Sequence, residues 1–183
     1  MRVIQVAMLF GLIVLSGISH AQSKNYAQEK VLTEYVFDSE QVEKMILLAY
    51  ENKRSRYTEF TQLFNFCQQK PSHQDCNERY EKVTASYEMV KANYNVLNMV
   101  NSKELQYLMM PEINYPELVT ALQDLGYLKD GMTSDVNYSD TLTALNQWLV
   151  MHDMETTEHV YLLHSLMIRT EELAQVILDE KES

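Results

Sequence analysis

The densest collection of chemically able side chains in this sequence is the run His152, Asp153, Glu155, Glu158 and His159. Imidazoles and carboxylates on one helix face can hold zinc, but the ligands must converge on one point. The run contains neither His-Glu-x-x-His nor His-x-x-Glu-His. His159 and His164 lie five positions apart, which turns them away from each other on a helix. No Gly-x-Ser-x-Gly elbow or phosphate loop occurs, and neither Cys67 nor Cys76 has a base beside it in sequence. These residues read as solvated or capping groups, and we expect no catalytic set, no metal site and no cofactor.

The two cysteines point to redox chemistry of a structural kind. Residues 1–21 carry one positive charge at Arg2, an apolar stretch and the small-x-small ending Ser19-His20-Ala21. That is the pattern of a secretory signal peptide. The apolar stretch is short and broken for a bilayer span, so stable membrane insertion after cleavage is not expected. An exported chain meets an oxidising compartment, where Cys67 and Cys76 pair by default. Reactive or metal-binding thiols would be expected at Cys-x-x-Cys spacing or beside basic groups, and neither is present.

Apolar positions place both cysteines on helices. Ile46, Tyr50, Tyr57, Phe60, Phe64 and Cys67 step by three and four, with Lys53 in the one missing place. Cys76, Tyr80, Val83, Tyr87, Val90, Tyr94 and Leu97 continue without a break. Such spacing keeps one seam of each helix turned to a partner. Between the runs, Pro71 stops the first helix, and Asp75 with Glu78 forms a capping-box pattern for the second. The expected unit, within residues 22–110, is an antiparallel helical hairpin clipped by a Cys67–Cys76 bond. Its tyrosines suit packing, with rings buried and hydroxyls reaching water. Asp38 or Ser39 would cap its first helix.

Pro111 and Pro116 forbid one helix across 111–116 and suggest a domain boundary there. Beyond it, Leu118, Leu122 and Leu125 share a face that ends at Gly126, a position suited to a left-handed helix stop. Ser139 or Asp140 can cap a second helix that buries Leu142, Leu145, Trp148 and Leu149. Thr156 or Thr157 can cap a third, with Val160, Leu163 and Met167 inward. Leu173, Ala174, Ile177 and Leu178 mark a helical extension able to pack back on the hairpin. With 4 glycines and 3 prolines in 183 residues, the chain reads as all-α.

Residues 118–166 resemble the small peptidoglycan-binding domain of many cell-wall proteins. The likeness rests on the opening helix that ends in Leu125-Gly126-Tyr127, on Thr141, on Ala144-Leu145, and on Trp148 at a family aromatic position. It implies a three-helix bundle over 111–183 whose core includes Leu122, Leu145 and Trp148. It also implies a wall-facing surface near the loop between the first two helices, where Tyr127, Asp135 and Tyr138 are the candidate ligand-binding residues. The sequence departs from the family twice. Residues 134–138 lack the loop's glycines, and Asp153-Met154 stands where the family has Gly-Leu.

A net charge of −11 argues against nucleic acid, which recruits a surplus of Lys and Arg. Together these features predict a periplasmic or secreted, non-enzymatic envelope protein. It would touch peptidoglycan through its C-terminal part and an unidentified periplasmic protein through its hairpin. The other expectation dispenses with the wall: a periplasmic interaction module, such as a secretion-system accessory or an inhibitor of a toxin or wall hydrolase. Its acidity would steer a basic partner, and methionines such as Met109, Met110, Met151 and Met154 suit an adaptable surface.

Overall fold

A computed structural model describes residues 39–102, 104–131 and 133–182. The expected signal peptide, the segment 22–37 and the cap at Asp38 lie outside them. The described residues are all-helical: α1 (Ser39–Gln69), α2 (Glu78–Val100), α3 (Pro116–Asp124), α4 (Tyr138–Met151) and α5 (Leu162–Glu182). Among the described residues, extended backbone meets only at the antiparallel bridge between Met109 and Tyr161.

Helices α1 and α2 form the expected antiparallel hairpin, and Cys67 is bonded to Cys76 across its closed end. The expected capping box does not form. Residues Gln74–Cys76 make a short 3-10 turn whose first N–H, that of Asp75, is accepted by His73 Nδ1 at 3.3 Å. The Asp75 carboxylate turns to Arg79 instead, 3.4 Å away, and α2 starts after Asn77 with no side-chain cap. The tight connection, in which the cysteines stand nine positions apart, leaves Asp75 inside the turn rather than at the helix entrance.

The aromatic seam of α1 is not its buried face. Tyr50, Tyr57 and Phe64 are 42%, 51% and 39% exposed, whereas Val42, Met45, Ala49, Asn52, Arg56 and Leu63 are buried. The two sets divide the work of one helix. The aromatic set lies against α2, pairing Tyr50 with Tyr94, Tyr57 with Tyr87, and Phe60 with both Tyr80 and Tyr87. Lys53, the one polar residue in that seam, holds its ammonium 3.7 Å from the Tyr94 ring centre, a cation–π contact that explains its place. The other set faces α5. Asn52 donates to the Thr170 carbonyl at 2.9 Å, and Arg56 reaches Glu180 at 2.6 Å and Glu59 at 3.0 Å. On α2 the expected seam does supply the core, through Val83, Val90 and Leu97.

The described residues form one compact unit. Its core joins Val42, Met45 and Ala49 of α1 and Leu97 and Val100 of α2 to Leu118, Leu122, Leu145, Trp148, Leu163 and Met167. The prolines at 111 and 116 therefore stiffen a crossing within one core instead of separating two domains. Helix α5 unites the halves because it runs unbroken to Glu182. What reads in sequence as a third bundle helix plus an extension is a single element. It carries Leu173 and Ile177 onto Val90 of α2, and its Thr170 hydroxyl accepts from Asn93 at 2.7 Å.

Candidate functional site

Helix α3 ends as its sequence predicts. Gly126 has φ +81°, the Gly126 N–H donates to the Gln123 carbonyl, and the Tyr127 N–H donates to the Leu122 carbonyl. That bond pair is a Schellman stop, which needs a left-handed residue at its centre. Helix α4 ends the same way without a glycine. Asp153 has φ +57°, its N–H donates to the Val150 carbonyl, and the Met154 N–H donates to the Leu149 carbonyl. Aspartate is one of the few residues that tolerates this region.

The cap of α4 lies two or three positions before the expected Ser139 or Asp140. Asn137 is the N-cap, and its side-chain oxygen accepts from the Asp140 N–H at 3.0 Å. Helix α5 likewise begins later than Thr156 or Thr157. Thr157 instead closes a turn, its hydroxyl donating to the His159 carbonyl and accepting from the His159 N–H. Asn146 of α4 holds that turn from both sides: its amide nitrogen donates to the Thr157 carbonyl, and its oxygen accepts from the Thr157 N–H.

Trp148, Leu122 and Leu145 are fully buried, as expected. The indole N–H donates to Glu171 Oε2 at 2.6 Å. His152, one helical turn on, stacks on the indole with 4.2 Å between ring centres. His152 Nε2 lies 3.0 Å from the same Glu171 oxygen, and Nδ1 lies 2.8 Å from the Trp148 carbonyl. A proton on either ring nitrogen therefore has an acceptor in reach. The cluster joins the end of α4 to the middle of α5. Sequence reasoning missed Glu171; the signal available was that a buried tryptophan N–H requires an acceptor.

The three candidate ligand residues are placed unequally. Asp135 is exposed in the short 3-10 turn Thr133–Asp135, next to the Ser134 hydroxyl that donates to it at 3.2 Å. Tyr127 packs its ring against the core; burial pushes its phenol above the ordinary tyrosine range, and the Glu171 carboxylate adds to the shift. Tyr138 also packs on the core, and its hydroxyl accepts from the Val160 N–H at 3.1 Å. Asn114, another residue sequence reasoning passed over, pins the loop by donating to the Thr133 and Val136 carbonyls at 2.7 and 2.6 Å. The loop that lacks glycines is thus held by an asparagine from the preceding segment.

The run 152–159 does not converge. His152 faces Glu171, whereas His159 lies 3.9 Å from Glu112. No group of three or more His, Cys, Asp or Glu that could hold a metal occurs among the described residues. His164 is buried beside the Tyr161 ring, and burial lowers its pKa to about 3. No described helix is long and apolar enough to cross a membrane. No protein family, curated protein or solved structure matches the chain.

Proposed function

We propose that this is an exported, non-enzymatic protein of the bacterial cell envelope that contacts peptidoglycan through α3, α4 and their connecting loop, and a protein partner through its hairpin. The observation that carries the wall-binding half is the backbone at Asp153. At the place where the family it resembles has Gly-Leu, the chain keeps the left-handed stop at φ +57° with an aspartate. This fits a three-helix module whose shape outlasted its glycines, with Asp135 and the edge of Tyr127 as its ligand-facing groups. Co-sedimentation of the oxidised protein with purified sacculi tests the proposal. Saturable binding that Asp135→Ala and Tyr127→Ala each weaken by about fivefold is the expected result. No binding at low or physiological salt overturns it.

A second reading rests on a different observation. Tyr138 commits its hydroxyl to Val160, which leaves the loop poorer in free polar groups, whereas the hairpin presents half-exposed Tyr50, Tyr57 and Phe64. Aromatic side chains of this kind favour protein interfaces. The protein would then be a periplasmic interaction module without affinity for the wall, such as a secretion-system accessory or an inhibitor of a toxin or wall hydrolase. Protein that ignores sacculi and loses its partner when Tyr57 and Phe64 are replaced by serine supports this reading.

A further inference from the structure

Helices α2, α3 and α5 leave a cleft of about 320 Å³ between them. Its walls are mostly apolar, formed by Ala92 and Val96 of α2, Leu118 of α3 and Leu166 of α5, with Ser165 among them. The two lips carry opposite charges, but their states differ. Arg169 is tied to Glu172 at 2.7 Å, and its second nitrogen lies 3.0 Å from the sulfur of half-exposed Met89. Glu117, in the exposed first turn of α3, has no such partner among the described residues. Of the two charged residues that line the cleft, Arg169 is committed to Glu172 and Glu117 is not compensated, and the chain as a whole carries −11.

We propose that this cleft receives a lysine side chain from a basic segment of a partner protein. A lysine has the required form: an aliphatic stem that gains by leaving water, and a compact ammonium that keeps three donors. The stem lies along Ala92, Val96, Leu118 and Leu166, and the ammonium meets the Glu117 carboxylate and the Ser165 hydroxyl. The Glu117 carboxylate would also accept an arginine's planar fork, but a compact ammonium can meet that carboxylate and the single Ser165 hydroxyl together. A purely apolar side chain would fill the trench but leave the Glu117 charge beside it uncompensated in a drier setting. The acidic field of the whole chain speeds the approach of such a partner, with a rate that falls as salt rises. The inference rests on the protein-partner half of the proposed function, whose partner chemistry it specifies and whose surface it extends from α2 of the hairpin onto α3 and α5; it does not require wall binding.

A short, end-blocked helical peptide of leucine and lysine is the probe, titrated into the oxidised protein while backbone amide resonances are followed by NMR. The expected result is a saturable shift of the Ala92, Val96, Leu118 and Ser165 amides. The same peptide with every lysine Nε-acetylated should bind about tenfold more weakly, since the stem remains and the charge is gone. Glu117→Gln should cost a similar factor. Ala92→Phe, which fills the trench from an exposed position, should abolish the shifts; circular dichroism establishes that each variant is folded, and the milder Glu117→Gln and Ser165→Ala keep the question open to an answer if Ala92→Phe is not. Shifts confined to another surface, equal affinity for the acetylated peptide, unchanged binding by Glu117→Gln, or no binding at all would each overturn the proposal. Loss of peptide binding beside intact sacculus binding overturns the lysine site alone. Peptide binding without sacculus binding supports it and removes the wall.

Discussion

The two ends of the hairpin use the same pair of helices and are held by different forces. At the open end, Val42, Met45, Leu97 and Val100 sit in a core completed by Trp148, Leu145 and Met167, with almost no exposure. At the closed end the contacts are half-exposed rings, Phe60 on Tyr87 at 5.2 Å and on Tyr80 at 6.2 Å, beyond which the Cys67–Cys76 bond closes the loop. Helix α5 accounts for much of the difference, since it covers one face of the hairpin and leaves the aromatic face open. Where a third helix lies, burial supplies cohesion. Where none does, a covalent bond limits the freedom of the unfolded chain.

The sharpest way to break this contrast is to remove one large ring from each end. Trp148→Ala empties a fully buried site and takes one of its two close partners from Glu171, and should lower stability by about 3–5 kcal/mol, enough to unfold a marginal domain. Phe64→Ala at the closed end should cost less than about 1 kcal/mol, because that ring is already 39% exposed. Urea unfolding of both variants checks the pair, and equal losses would refute a division between buried and covalent cohesion.

Acid should distinguish the ends next. His164 lies in the open-end region with a pKa near 3, against an ordinary value of 6.5. Between those values the unfolded chain binds a proton that the native site refuses. Stability from this site is therefore complete above about pH 6.5 and falls as pH drops toward 3, at up to about 1.4 kcal/mol per pH unit. By pH 4 the loss exceeds about 3 kcal/mol on that slope. His164→Leu should remove this share of the acid sensitivity, so wild type and variant should diverge between pH 6.5 and 4 in parallel urea titrations. Buried Glu172 works in the opposite sense: burial, opposed by Arg169, raises its carboxyl pKa, which makes that site tolerate acid better than the unfolded chain does.

Reduction addresses the closed end directly. The Cys67–Cys76 loop is short, and the chain-entropy model gives about 2–3 kcal/mol for it. Adding dithiothreitol should lower the unfolding free energy measured in urea by that amount while leaving the helical signal in dilute buffer intact. Loss of the native helical signal on reduction would mean that the bond carries the whole hairpin.

The sequence made the hairpin legible because a strict three-four period identifies a helix that faces something. It could not say how many faces are covered. The seam of Tyr50, Tyr57 and Phe64 has the right period for a core, yet α5 lies on the face marked by Asn52 and Arg56, two polar residues whose burial no periodicity announces. Arg56 illustrates why: burial alone would lower its pKa, but its bonds to Glu180 and Glu59 carry it above the ordinary arginine range. Glu180 is 124 positions away in sequence, beyond any local pattern. The Trp148, His152 and Glu171 cluster was hidden for the same reason, while its local part, a buried tryptophan, was plain. Caps were misplaced by a few residues because Asn137, Ser139 and Asp140 are all competent, and the loop geometry fixed by Asn114 selects among them.

The smallest effect belongs to the two helix stops, which repeat one geometry with different residues. Gly126 meets the left-handed conformation without strain, whereas Asp153 adopts it against a steric cost of about 1 kcal/mol. No heavy atom lies within 4 Å of a methyl group built at Gly126, so Gly126→Ala should lose about 1 kcal/mol through backbone strain alone. Asp153→Gly should gain less than that, because relief of the strain is partly offset by a freer unfolded chain. The two changes are thus expected to have opposite signs in one urea series, with the loss at 126 the larger. If Asp153→Gly destabilises, the aspartate side chain contributes more at that helix end than its backbone strain costs. The αL position would then be maintained by this chain's own interactions, and its agreement with the glycine of the wall-binding family would no longer support common shape.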